Sequence, residues 1–178
     1  MAESNSQQSD FGQIYFNSPE IIDRPKTIEE LAQTLKAYND RGICVKIRNT
    51  GHSINGQTLT SGAQINIGDI KGITFDKEKE EVTVGAGNSW DEMLKAINFP
   101  DYCPMVFPNN PGQQIKVGGT ASVGGIGFYT SKYGGFWNHV TGLKLITMAG
   151  DIVSCSKTES KDIFYYALGG FGRIGVIG

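Results

Sequence analysis

The sequence predicts an α+β fold in two lobes, and three observations carry that prediction. Amphipathic helical segments alternate with short β-branched runs, so neither period dominates the chain. A stretch rich in proline and asparagine, "FPDYCPMVFPNNPGQQ", breaks this order and places a crossover near residues 100 to 112. Glycine accounts for 24 of 178 residues, about twice the roughly 7% of average usage, and it clusters between the periodic segments. The expected organisation is a disordered polar tail over 1–17, a first lobe over 18–100 and a second over 101–178.

The elements follow in order. "EIIDRP" is a short strand, and "TIEELAQTLKAYNDRG" a helix with Ile28, Leu31, Leu35 and Tyr38 at helical spacing. Thr27 followed by Glu30 predicts a capping box, and Gly42 ends the helix. "ICVKIR" is a compact strand that runs directly into "NTGHSINGQTL", too rich in turn formers for either regular structure. "QINIGDI", "GITFDKE" and "EEVTVGAG" are three short strands. "SWDEMLKAIN" is a second helix with Ser89 and Glu92 in a capping box. Beyond the crossover, "VGGTASVGGIGF" and "KYGGFWNHV" read as loops. "TGLKLITMAGDIVSCS" is a hairpin turning at Ala149-Gly150-Asp151, "ESKDIFYYAL" a helix, and "GVIG" a strand.

Composition narrows the function. A net charge of −2 with 16 basic residues leaves no cationic patch for nucleic acid. No apolar run approaches the roughly 20 residues of a membrane helix, and "MAESNSQQSD" has no signal-peptide core. Three scattered cysteines, Cys44, Cys103 and Cys155, predict neither a disulfide framework nor a zinc site, and a cytoplasmic location fits.

The nucleotide fingerprints fail on context. "VGAGNSW" joins a strand to a helix, but Trp90 fills the third glycine position and no acidic residue follows at the ribose distance. "GFGRIG" has the glycines but follows a helix and precedes a strand, the reverse of the required order. No P-loop is present. Two histidines, His52 and His139, are little material for a triad or a metal site. His139 beside aromatics reads as structural, and the acidic pairs Glu29-Glu30 and Glu80-Glu81 read as solvated. From its own residues the His52 loop is open to two readings, a polar turn or a histidine held for chemistry.

Three motifs settle the choice by their order. "RNTGHSINGQ", "VGGTASVGGIG" and "LGGFGRIGVI", with "CSKTESKDIF" before the last, resemble the cytokinin dehydrogenases, flavoproteins of the vanillyl-alcohol oxidase superfamily. The resemblance runs from about residue 20 to the end. It implies a two-lobed FAD-binding domain of the PCMH type, without the C-terminal substrate domain of the relatives. It implies His52 as the covalent anchor of the flavin through the 8α carbon. Asn49, Thr50, Gly51 and Ser53 would cradle the diphosphate, and Ile47 and Gln57 would complete the cofactor site from the same lobe. Lys116, Gly118, Gly119, Ser122 and Ile126 would line it from the second lobe, and Ile177 would reach it from the last strand. Glycine-rich loops suit this task, because main-chain N–H groups can hold a diphosphate with little cationic charge.

The sequence departs from the family pattern in three ways. Asn49 stands where the relatives have a small residue, often glycine; Asn tolerates left-handed backbone angles. Pro111 occupies the position of the aspartate that takes the substrate's proton, and Gln114 the place of the cysteine that gives related oxidases a second tether. One covalent link is therefore expected at most. The chain stops at "GVIG", where the relatives continue into a substrate domain. The expected function is the FAD-binding portion of an oxidoreductase moving hydride from an amine or alcohol to flavin. The alternative is a flavin-binding module that needs a separate chain for activity, so that this chain alone turns over poorly.

Overall fold

The computed structural model describes residues 7–106 and 115–178. Its first element is unforeseen. Residues 8–17, expected within a disordered tail, form a hairpin of β1 (Gln8–Ser9) and β2 (Phe16–Asn17). Asp10 builds its turn by accepting the Ile14 and Tyr15 N–H groups at 2.9 and 3.2 Å. Polar composition alone hid this, because a side-chain-capped turn uses polar residues too. Residues 1–6 of that tail lie outside the described residues.

The next unit is a parallel sheet in the order β3-β5-β4, from β3 (Ile21–Asp23), β4 (Val45–Arg48) and β5 (Ala63–Asn66). Parallel neighbours need crossovers. Helix α1 (Ile28–Asp40) supplies the first, and residues 49–62, the histidine loop, supply the second. Leu31, Leu35 and Tyr38 of α1 are buried with Ala63, Ile65 and Ile67. Thr27 Oγ1 caps α1 by accepting Glu30 N–H at 3.1 Å. The box predicted there is not closed: the Glu30 carboxylate accepts Lys26 N–H at 2.7 Å, one residue before the cap. Gly42, at φ +66°, ends the helix as expected.

The hairpin of β6 (Ile73–Asp76) and β7 (Glu81–Val84) leads through Gly85-Ala86-Gly87 into α2 (Trp90–Ala96). Here the capping box is complete: Ser89 Oγ accepts Glu92 N–H at 3.1 Å, and Glu92 accepts Ser89 N–H at 2.7 Å. Lys71 donates to the same carboxylate at 2.6 Å. Those bonds, led by Lys71, hold the Glu92 carboxyl down to about 2. A folded value below the unfolded 4.5 stabilises fully above pH 4.5 and is lost as pH falls toward 2. Glu92→Gln will therefore flatten the acid limb of a melting-temperature profile between those values.

The segment "VGGTASV", read as loop, is instead helix α3 (Val117–Val123), ending at Gly124 with φ +95°. Small residues do not forbid a helix where tertiary contacts hold it. Two short turns, α4 (Thr130–Tyr133) and α5 (Phe136–His139), replace the second expected loop. The predicted hairpin is present as β8 (Gly142–Ile146) and β9 (Ile152–Ser156), with Gly150 at φ +86° in its turn. Helix α6 (Lys161–Ala167) and β10 (Val176–Ile177) follow, and the sheet order is β10-β8-β9.

Side-chain alternation gives this sheet two faces. Ile146 and Val176 join the α1 core, while Leu145 and Ile177 join a second core with Ala121, Phe164 and Ala167. The β10-β8-β9 sheet is thus the wall between two cores. Among the described residues no helix is long and apolar enough to cross a membrane, and no cluster of three or more metal-ligating side chains occurs.

Candidate cofactor site

The histidine loop starts where β4 ends. Arg48 folds back beneath it, donating from Nη1 to Thr58 Oγ1 at 3.1 Å and from Nη2 to Ser9 O at 3.0 Å. The loop passes closely over that guanidinium at Gly51, whose φ is +80° and where a Cβ would overlap Arg48. A side chain at position 51 would be strained by that angle and would have to displace the guanidinium, so glycine suits it best. The left-handed angle considered for Asn49 is not used, since Asn49 does not have a positive φ.

His52 is half-buried. Its Nδ1 lies 3.0 Å from Thr50 Oγ1, and its ring centroid is 5.0 Å from that of Phe11. Burial pushes the imidazole below its ordinary 6.5, so the ring is neutral at pH 7 and keeps a lone pair on one nitrogen. Ser53 accepts Phe11 N–H at 2.9 Å through its carbonyl, and its hydroxyl lies 3.3 Å from Thr58 Oγ1.

One main-chain atom joins this loop to the second glycine cluster. Ala86 O accepts from Asn49 Nδ2 at 3.1 Å and from the N–H of Gly118, in the first turn of α3, at 3.2 Å. Close packing makes the second bond possible. A Cβ on Gly118 would stand 2.5 Å from Ala86 Cβ. Trp90 fastens the same helix, donating from Nε1 to Thr120 Oγ1 at 2.9 Å. The "LGGFG" turn clasps its far end, with Gly169 N–H bonded to Ala121 O at 3.0 Å and Phe171 N–H to Ser122 O at 2.9 Å.

The expected site residues thus divide. Asn49 is brought to Gly118 through Ala86, and Thr50, Gly51, His52 and Ser53 follow Asn49 on the same loop. Gly119 faces open space, since an added Cβ would meet nothing within 4 Å. Lys116 precedes α3 as its N-cap residue, half-buried, its ammonium pushed down by burial and by Lys71 nearby. Ser122 is held on α3 by the Phe171 bond, and Ile126 beyond it is 73% exposed. Three more side chains are engaged where they stand. Ile47 packs on the first core, Ile177 is 8% exposed within the second, and Gln57 Oε1 accepts Asn55 N–H at 3.0 Å inside its own loop. His139 Nε2 donates to Tyr133 O, 2.9 Å away, in keeping with a structural part. Pro111 and Gln114 lie outside the described residues.

Sequence reasoning missed Ala86, Arg48 and Phe11. Ala86 sits in "VGAG", noticed only for a fingerprint it does not form. The apolar run of Phe11, Ile14, Tyr15 and Phe16 directly after the polar tail was the available signal for the hairpin.

These residues fit a diphosphate-bearing cofactor. Among the described residues none accepts from the N–H groups of Gly51, His52, Ser53 or Gly119. The buried Asn49 Oδ1 also lacks a partner among them. Buried or loop-tied polar groups left open in this way call for a polar ligand.

Comparison with known proteins agrees. Residues 19–156 match the FAD binding domain family. Cytokinin dehydrogenase 2 of Arabidopsis thaliana is 33% identical over 171 residues, which is 94% of this chain and 34% of that protein. Cytokinin dehydrogenase 7 of Oryza sativa subsp. japonica is 31% identical over 179 residues, 95% of this chain and 33% of the relative. The solved structure of 6-hydroxy-D-nicotine oxidase from Arthrobacter nicotinovorans superposes with a TM-score of 0.78 at 25% identity, over 88% of this chain and 34% of that one. The chain spans about a third of the length of the curated relatives it matches. With the loop, the α3 turn and the wall sheet placed as they are, the chain belongs to the FAD-binding domain family, in its vanillyl-alcohol oxidase, cytokinin dehydrogenase-like form.

Proposed function

We propose that this chain is the FAD-binding portion of a flavin-dependent oxidoreductase that takes hydride from an amine or alcohol, with the flavin anchored covalently on His52. The observation that carries the reading is a neutral, half-buried His52 on a loop tied to α3 through Ala86 O. When bound, FAD supplies the hydride acceptor. The chain's own residues bind and orient it. Gly51, His52, Ser53 and Gly119 offer N–H groups to the diphosphate, and Asn49 Oδ1 offers an acceptor to a cofactor hydroxyl. His52 offers a nitrogen lone pair for the tether. With proline at position 111, removal of the substrate's proton falls to a group elsewhere.

A second reading has its own support. Val123, Ile126, Phe128 and Phe171 are exposed on and around the end of α3, Ile126 by 73% and Phe128 by 66%. Apolar side chains gathered so near the cofactor loops favour a module completed by further protein, from this chain's continuation or a separate one. On either reading the chain alone turns over little.

The test begins with wild-type protein incubated with FAD, precipitated in acid and spun. A yellow pellet supports the tether. A yellow supernatant over a white pellet would leave FAD binding and remove the covalent bond. Protein that retains no flavin before acid would sink the reading as a whole.

A further inference from the structure

We propose that Phe11, carried by the N-terminal hairpin, is a positioning residue that sets the orientation of the His52 imidazole. The proposal rests on the reading of His52 as the flavin anchor.

The hairpin is rigid where Phe11 leaves it. Beyond the two bonds to Asp10 Oδ1, Asp10 N–H donates to Tyr15 O at 3.1 Å and Gln13 N–H to Asp10 O at 3.1 Å. It is also fastened to the histidine loop along the loop's length. Arg48 holds Ser9 O at the loop's base, and Phe11 N–H holds Ser53 O beside the histidine. Tyr15 lies against Gly56, where an added Cβ would come within 3.2 Å of Tyr15 Cβ. From this frame the Phe11 ring lies 5.0 Å from the His52 ring, inclined at 40°.

Two features separate this from core packing. Phe11 is 55% exposed, so burial of its own ring is not what holds it there. Its ring partner is the one side chain of the loop with a nucleophilic nitrogen. Thr50 Oγ1 at Nδ1 restrains rotation of the imidazole in its own plane, and Phe11 restricts the face. Together they hold one ring orientation on a loop otherwise made of small and polar residues.

Orientation matters for the tether. A ring nitrogen of His52 bonds to the flavin 8α carbon, which loses one C–H proton while the imidazole loses its N–H proton. The two electrons left on the ring system pass with those protons to dioxygen, giving hydrogen peroxide. A nitrogen aimed at that carbon reacts faster than one sampling many directions, and loss of aim is expected to slow attachment about tenfold or more.

The experiment reads the histidine first in protein without added FAD. Two histidines make the ring spectrum simple, and His139→Gln assigns them. In the wild type the Phe11 ring current displaces the His52 ring protons; in Phe11→Ala they move to the position of an exposed histidine, and Phe11→Tyr restores them. On adding FAD, the half-time for acid-stable flavin lengthens about tenfold in Phe11→Ala and recovers in Phe11→Tyr, with FAD retention before acid and melting temperature little changed. His52 resonances unmoved in Phe11→Ala, or attachment slowed only in step with lost FAD retention, would overturn the proposal. If wild-type protein forms no acid-stable flavin, the anchor reading fails, and the histidine spectrum still decides whether Phe11 orients the ring.

Discussion

Replacing His52 by alanine will abolish acid-stable flavin while leaving a folded protein that still takes up FAD reversibly. The imidazole is half-buried, and among the described residues its hydrogen-bond and ring partners are the Thr50 hydroxyl and the Phe11 ring. Removing it leaves every main-chain N–H of the cradle in place, so stability should change by about 0.5 kcal/mol, as at a surface site. The measurement is flavin absorbance in pellet and supernatant after acid, beside a thermal melt. Colour persisting in the pellet would assign the tether to another nucleophile, with the exposed Cys44 and Cys103 next in line. In the wild type the pH dependence has a fixed sign. Burial places the His52 pKa below 6.5, so attachment should be level through neutral pH and fall only under acid conditions, as protonation takes the lone pair.

Trp90→Ala should have the largest effect on folding, a loss of about 3–5 kcal/mol. The side chain is 1% exposed, packs edge-on against Phe136 at 5.3 Å and hydrogen-bonds Thr120. Against total stabilities of about 5–15 kcal/mol, this loss brings the domain close to unfolding. The damage should not stop at the core. Trp90 fastens α3, and α3 presents Gly118 to Ala86, so FAD affinity should fall with stability. Trp90→Phe is the milder change, keeping a ring while losing the bond to Thr120 and part of the indole's buried volume, for about 1–3 kcal/mol. Denaturant midpoints with FAD titration measure both, and an alanine variant as stable as the phenylalanine one would refute the account.

Much of the fold was legible because its cues are local. Helices α1 and α2 were marked by Thr27, Ser89 and apolar spacing, and the β8–β9 turn by Gly150. Helix α3 was not, because "VGGTASV" is helical through what it touches: Trp90 on Thr120 and Ala86 against Gly118. Thr27 and Glu30 stood at the correct spacing, yet the carboxylate chose Lys26 N–H, which spacing cannot distinguish. The histidine loop became readable only from the order of the motifs after it. The Asn49 bond to Ala86 joins positions 37 apart in sequence. No local pattern announces such a contact.

The junction at Ala86 has a consequence for how this chain can change over generations. Its acceptor is a peptide oxygen, which every amino acid carries, so no replacement at position 86 deletes it. What positions 86 and 118 share is volume: there is room for one methyl between them, and Ala86 holds it. Mutation is free to recast the outer faces of both cores, and the cradle's connection survives as long as Asn49 keeps its amide and that single methyl is not doubled.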